Sequence, residues 1–204
     1  MRMSGTLVLV LFSHGVLWGA PPTAASPAPT NKPLRLELLG MARDDQGMTG
    51  VIGSGGPSDP NDASRRLLES AVIQRLHARI QQIVAEYGWP GKALVGEDGA
   101  HAAWLIVQHS DEDLFFQKRC LELMRLAFKA DEVTAHDLAY LTDRVLTGEG
   151  LPQMYGTQGV GVLSLDDEAR VNLNRLALGL EPWRVFIEKR RNSYQPWLPE
   201  IKPD

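Results

Sequence analysis

The chain has 204 residues, which fits one domain, and its apolar content of 44% is enough to fill one core without disulfides. Its formal net charge of −4 provides no basic field for a phosphate backbone, so the composition argues against nucleic acid as a partner. The single cysteine, Cys120, cannot form an internal disulfide, and its apolar neighbours predict a buried thiol.

Residues 1–25 predict a signal peptide that is removed from the mature protein. Arg2 supplies a positive charge, Leu7 to Phe12 is an unbroken apolar run, and two prolines follow at positions 21 and 22. The apolar run is shorter than the about 20 residues that span a bilayer, so we expect no membrane span in the mature chain. Small residues before Ser26 indicate cleavage there, and the predicted location is periplasmic or secreted. The alternative is an apolar tail without a signal function.

The next segment, residues 26–60, predicts a flexible leader with one short helix. Its first part is rich in Pro, Ala, Ser and Thr and cannot bury enough surface to offset its ordering entropy. Leu34 and Leu38 fall at helical spacing, which predicts a helix ending near Asp45. Residues 47–60 contain five glycines and two prolines and predict a mobile loop.

Residues 61–192 predict a single, mainly α-helical domain of about six helices. Apolar residues recur there at the helical period between capping residues and glycine or proline stops. The predicted helices run from about Asn61 to Tyr87, His101 to His109, Asp111 or Asp113 to Phe128, Thr134 to Thr147, Asp166 to Leu178 and Pro182 to Arg191. The second of these is apolar on every side, so it must be buried all round, and we expect it to pack antiparallel to the third. Residues 193–204 contain three prolines and predict an irregular tail.

One small β-hairpin is predicted between the fourth and fifth of these helices. Gln153 to Gln158 and Val160 to Leu165 are short runs compatible with strands, and glycines stand at positions 159 and 161. The two-residue alternation of a strand places Tyr155 and Gly156 on opposite faces. Gly156 would let a ligand or a backbone approach closely, and the alternative is a hairpin packed over the helices.

Five short motifs resemble those of a family of bacterial domains of unknown function. In chain order they are Gly88-Trp89-Pro90, Val95-Gly96, Gln108-His109, Asp143-Arg144 and Tyr155-Gly156-Thr157-Gln158. The likeness spans about Asp62 to Lys189 and extends upstream to Asp45-Gln46, where that family has an arginine shortly afterwards and this chain has Gly47 to Gly56. The resemblance implies a mostly helical domain and no established activity.

Gln108 and His109 end an otherwise apolar helix and are candidates for a functional site. An unpaired buried polar group costs about 1–3 kcal/mol, so both side chains must find partners inside the protein. His109 is a candidate general base or acid because imidazole exchanges protons near neutral pH. The alternative is a helix-terminal residue that donates to backbone carbonyls.

Asp143 is a candidate to orient His109 by accepting its ring N–H. Asp143 and Arg144 are adjacent on a helix and must point in different directions, and structural ion pairing is the alternative for both. His101 and His109 share a helix edge, but two histidines without a well-spaced third ligand are weak evidence, so we predict no metal. The sequence has no P-loop, nucleophile elbow or dinucleotide fingerprint, so we expect no cofactor.

Our leading hypothesis from the sequence is a domain that binds a polar small molecule or a protein partner. The predicted pocket is lined by Gln108, His109, Asp143, Arg144, Tyr155 and Gln158. Amide side chains both donate and accept, which suits hydroxyl and peptide groups. The alternative is a metal-independent hydrolase in which His109 is the base, Asp143 orients it, and Arg144 or Gln158 steadies an oxyanion. A third possibility is a purely structural interaction domain.

Overall fold

The computed structural model describes residues 28–53, 63–158 and 165–192, which form seven α-helices and no strand. The helices are α1 (Lys32–Gly53), α2 (Ala63–Tyr87), α3 (Lys92–Gln108), α4 (Leu114–Phe128), α5 (Ala135–Gly148), α6 (Leu165–Ala177) and α7 (Trp183–Asn192). The prediction of a mainly helical domain is confirmed for this part of the chain. Within it, no helix combines the length and the apolar content that crossing a membrane requires.

The central helix of the fold is α3. Every side chain from Ala102 to Gln108 is buried, as the apolar run predicts, because a helix without a polar face needs cover on all sides. α1 is its main neighbour, and α2 and α5 contact it as well. The expected packing of α3 against α4 is minor, since α4 packs chiefly on α5.

α1 is longer and more deeply buried than the sequence predicts. It continues through Gly53 into the segment expected to be a loop, and Leu38, Leu39 and Ala42 are fully buried in the core. A glycine costs a helix about 1 kcal/mol relative to alanine, which lowers its stability without forbidding it. α1 therefore belongs to the core rather than to a leader, and the remainder of the predicted loop lies outside the described residues.

Two predicted helix caps are present at the starts of α4 and α5. The Asp113 carboxylate accepts the backbone N–H of Phe116 at 2.9 Å. The Thr134 hydroxyl accepts the backbone N–H of Asp137 at 3.0 Å. Each cap satisfies a donor that the first helical turn leaves without a partner, so these helix starts are fixed by local sequence.

The predicted β-hairpin does not form in its described half. Residues 151–158 make irregular turns, and residues 160–164 lie outside the described part. The physical reason is Asp143, which accepts the backbone N–H groups of Met154 and Tyr155 at 2.7 and 3.0 Å. Those donors are therefore not available to a strand partner. The predicted signal peptide and the tail of residues 193–204 also lie outside the described residues.

Candidate functional site

His109 pairs with Asp45, a carboxylate 64 positions earlier in the chain and not the predicted Asp143. His109 Nδ1 lies 2.7 Å from Asp45 Oδ2, and Gln46 Nε2 donates to the same oxygen at 3.2 Å. The Asp45 side chain is 9% exposed and that of His109 is 28% exposed, so the imidazole is reachable from solvent while its partner is buried. The only sequence signal for Asp45 was the upstream extension of the family resemblance.

The two neighbours of His109 fix the position of its proton. A carboxylate accepts but cannot donate, so the neutral ring carries its proton on Nδ1, facing Asp45. The other nitrogen, Nε2, is then an acceptor, and the Gln108 amide nitrogen lies 3.1 Å from it. The arrangement can take up a proton at Nε2 while Asp45 stabilises the resulting imidazolium.

Asp143 has a structural role and does not orient His109. It is fully buried, and its Oδ2 accepts the backbone N–H and the hydroxyl of Thr157 at 2.8 and 2.9 Å. Its Oδ1 accepts the backbone N–H of Met154 and of Tyr155. Both ring nitrogens of His109 have other partners, so the predicted pairing of Asp143 with His109 is wrong. Asp143 instead anchors the turns that follow α5.

Arg144 points away from Asp143, as adjacent positions on a helix require. Its guanidinium forms a two-pronged ion pair with Asp111, in which Nε lies 2.7 Å from Oδ1. Arg144 Nη1 also donates to Gln158 Oε1 at 3.2 Å. Gln158 in turn donates to the backbone carbonyl of Tyr140 at 3.0 Å. Arg144 thus forms a structural ion pair, the alternative stated from the sequence, and Asp111 is its partner.

Arg144 and Gln158 line an open surface pocket of about 400 Å³, which we call the Arg144 pocket. Its lining consists of Asp111, Leu114, Gln117, Arg144, Thr147, Gly148 and Gln158. Pockets that hold small molecules measure about 300–1,000 Å³. The lining offers a cation, an anion and two amides within one small volume, which suits a small polar ligand.

Gln117 connects the Arg144 pocket to the C-terminal end of α3. Gln117 is 2% exposed, and its Nε2 donates to the backbone carbonyls of Val107 and Gln108 at 3.2 and 3.1 Å. The same nitrogen lies 3.4 Å from Asp111 Oδ1. The backbone next to His109 and the ion pair in the pocket therefore share a hydrogen-bonded network.

Tyr155 lines a different groove, bordered by the C-terminal part of α4. The six predicted pocket residues are therefore divided among several places. Arg144 and Gln158 share a pocket, Gln108 and His109 form a cluster with Asp45, and Asp143 is enclosed under the turns it anchors. The sequence could not predict this division, because it depends on which helices pack together.

A second imidazole–carboxylate cluster joins α3 to α5. Asp137 is buried, and its Oδ1 lies 3.0 Å from His101 Nδ1 and 3.2 Å from His136 Nδ1. Burial opposes ionisation of Asp137, but the hydrogen bonds from both histidines outweigh it, so the pKa of this carboxyl lies below its usual value. No local pattern in the sequence signals this cluster, because Asp137 is 36 positions from His101 and lies on another helix.

Neither metal binding nor thiol chemistry gains support from the described residues. Within residues 28–53, 63–158 and 165–192, no three or more His, Cys, Asp or Glu side chains are grouped to hold a metal ion. Cys120 is fully buried, as predicted, and burial raises the pKa of its thiol to about 12. A thiol in that state is a poor nucleophile.

The described residues form a helical domain in which several hydrogen-bonded polar side chains lie around the C-terminal end of α3. The chain belongs to a family of unknown function, DUF6624, whose family model matches residues 32–195. The match agrees with the resemblance to a domain-of-unknown-function family, and it begins at the first residue of α1. No curated protein and no solved structure matches the chain significantly.

Proposed function

We propose that this protein is an exported helical domain that binds a small polar ligand in the Arg144 pocket. The observation that carries the proposal is the open volume of about 400 Å³ bordered by the Arg144 guanidinium and the Gln117 and Gln158 amides. A planar guanidinium recognises a carboxylate or phosphate through two parallel N–H donors. The partly exposed Gln158 amide suits a hydroxyl or peptide group on the same ligand.

The contact between Asp111 and Arg144 supports the idea that the ligand carries an anionic group. Its carboxylate already binds the Arg144 guanidinium in the two-pronged manner that a ligand carboxylate would use. The Asp111 side chain is 57% exposed and belongs to the short connection between α3 and α4, so it can be displaced without unfolding a helix. A polar segment of a protein partner would carry similar groups, so short acidic peptides are among the probes tested.

Thermal unfolding with defined probes tests this proposal. Disaccharides, cell-wall muropeptide fragments and short acidic peptides are added separately to the purified mature domain. One class is expected to raise Tm in the wild type, and Arg144→Gln and Gln158→Ala should abolish that shift. Arg119→Gln is the matched control, because Arg119 is an exposed arginine of α4 that does not line the pocket.

Two results would overturn the binding proposal. One is the absence of stabilisation by any probe class. The other is a Tm shift that Arg144→Gln leaves unchanged. Arg144→Lys keeps the positive charge and loses the two-pronged geometry, so it should retain only part of the shift. Circular dichroism of each variant shows whether the helices are intact.

Export is the second part of the proposal, and it rests on the sequence of residues 1–25. The full-length chain is expressed in a bacterial host, and the N-terminus of the extracytoplasmic product is sequenced. Processing before Ser26 is expected, and introducing two arginines within Leu7 to Phe12 should prevent it, because a charged core cannot serve as an apolar signal region. An unprocessed wild-type chain that stays in the cytoplasm would contradict export.

A metal-independent hydrolase remains the second candidate function, and the His109–Asp45 pair favours it. The 2.7 Å contact orients a partly exposed imidazole through a buried carboxylate, which is the arrangement of a general base and its orienting acid. Before His109 Nε2 can take a proton from water, the Gln108 amide must move away from that nitrogen.

Hydrolysis of p-nitrophenyl acetate and of N-acetylated peptides tests this second function. His109→Gln should lower kcat by about 10²- to 10⁴-fold, because positioned general bases contribute that much. Asp45→Asn should lower kcat less and change its pH profile, whereas Asp44→Asn should keep the wild-type rate. Equal rates in wild type and His109→Gln would exclude His109 as the base.

A further inference from the structure

A second open groove, which we call the Tyr155 groove, differs in chemistry from the Arg144 pocket. It has a volume of about 460 Å³ and lies beside the C-terminal part of α4. Its apolar lining is provided by Leu126, Phe128, Leu138 and Met154. Its polar lining consists of Glu122, Arg125, Lys129, Thr142 and Tyr155. The groove therefore combines an apolar surface with two basic side chains and one acidic side chain.

The apolar part of the groove leaves large side chains uncovered. Leu126 is 64% exposed and Met154 is 39% exposed, while Leu138 is buried at the base. Covering apolar surface stabilises a complex by roughly 25 cal/mol for each Å² removed from water. A hydrocarbon group placed between these side chains would gain that stabilisation.

The polar part of the groove has one uncompensated positive charge. Arg125 Nη1 lies 2.5 Å from Glu122 Oε1, and this exposed pair neutralises itself. Lys129 has no ion-pair partner in the described part of the chain. A ligand group with a single negative charge would therefore balance the lining.

Tyr155 supplies a hydroxyl that can donate to such a group. Burial and the Asp143 carboxylate raise the pKa of Tyr155, and Arg125 opposes them only partly, so the phenol is protonated at neutral pH. The hydroxyl makes no hydrogen bond to any described residue. Thr142, by contrast, already donates to the backbone carbonyl of Leu138 at 2.7 Å.

We propose that the Tyr155 groove binds a carboxylate with a hydrocarbon chain, of the medium-chain fatty acid class. The chain lies against Leu126, Leu138 and Met154, and the carboxylate lies at Lys129 and the Tyr155 hydroxyl. A phosphate monoester fits less well, because it carries a charge of about −1.5 to −2 against a single uncompensated cation. This site is separate from the Arg144 pocket and does not depend on its function.

Methyl NMR of the mature domain with three probes of equal chain length tests the proposal. Octanoate should shift the methyl signals of Leu126, Leu138 and Met154 saturably, and 1-octanol and octylammonium should bind more weakly. Lys129→Glu should weaken octanoate binding about tenfold, since losing one charge-assisted contact corresponds to about 1.4 kcal/mol. Tyr155→Phe should weaken it about two- to fivefold, as expected for a neutral hydrogen bond.

The control variants separate this site from the rest of the protein. Arg119→Glu reverses an exposed charge elsewhere on α4 and should leave octanoate affinity unchanged. Arg144→Gln should also leave it unchanged, so failure of the Arg144 pocket would not affect this result. Equal binding of all three probes, no methyl shifts, or an unchanged affinity in Lys129→Glu would overturn the proposal.

Discussion

His109 and Asp45 stand 64 positions apart in sequence, yet the His109 ring nitrogen Nδ1 lies 2.7 Å from the Asp45 carboxylate. The contact joins α1 to the C-terminal end of α3. It replaces Asp143 as the carboxylate partner of the one histidine that the sequence selected for acid–base chemistry. It also assigns a role to α1, which the sequence had placed in a leader.

The tautomer of His109 is the most direct test of this contact. Neutral His109 is expected to carry its proton on Nδ1, which ¹⁵N NMR of the imidazole ring reports. Asp45→Asn should allow both tautomers and lower the free energy of unfolding by about 1–3 kcal/mol, because the buried hydrogen bond loses its charged acceptor. Asp44→Asn is the adjacent control, since the Asp44–Arg75 pair is exposed and contributes less than about 1 kcal/mol. Predominance of the Nε2–H tautomer in the wild type would contradict the geometry.

Asp143→Asn should be among the most destabilising conservative substitutions in the chain. The buried carboxylate accepts backbone N–H groups of Met154, Tyr155 and Thr157, and an amide cannot accept them all. We expect a loss of about 3 kcal/mol in urea unfolding and faster amide exchange at Thr157. Asp131→Asn, at a side chain that is 94% exposed, should change stability by less than about 0.5 kcal/mol. Similar effects of the two substitutions would disprove the anchoring role.

Gly156→Ala should loosen the contact between α7 and the turns that follow α5. A Cβ at Gly156 would lie 2.6 Å from Trp183 Cδ1, and the Trp183 indole donates to the Gly156 carbonyl at 3.0 Å. Gly150→Ala is the control, because Gly150 also has a positive φ, of 73°, but a Cβ there would meet nothing within 4 Å. The control should cost about 1 kcal/mol from backbone strain, and Gly156→Ala should cost at least about 1 kcal/mol more from the clash. Thermal unfolding and near-ultraviolet dichroism measure both, and equal losses would argue against close packing of Trp183.

The cluster of Asp137, His101 and His136 should make the free energy of unfolding depend on pH in the acidic range. The pKa of Asp137 lies below its ordinary value of 3.8 in the folded protein, so its contribution is fully present above that value. It is lost as the pH falls through the lower, folded-state pKa. Asp137→Asn should therefore remove part of the acid dependence of the unfolding free energy, and His136→Gln should remove less because His101 still donates. An identical pH dependence in wild type and Asp137→Asn would exclude the linkage.

Local sequence predicted the helices well where periodicity and caps agreed. The start of α5 at Thr134 and that of α4 at Asp113 follow from side chains that accept N–H groups three residues later. Burial of α3 followed from its apolar run, since no orientation of that helix exposes a polar face. The extension of α1 to Gly53 could not be predicted, because glycines lower helix propensity and the segment carries several of them.

By itself the sequence determined a helical domain, the burial of α3 and the residue types that carry polar chemistry. Only the tertiary structure decided which of them meet: Asp45 with His109, Asp111 with Arg144, and Asp143 with the turns after α5. The reason is that helical periodicity and capping act over a few residues, whereas these partners are brought together by the packing of helices. A carboxylate also has several chemically equivalent donors in the chain, and only position in space selects among them.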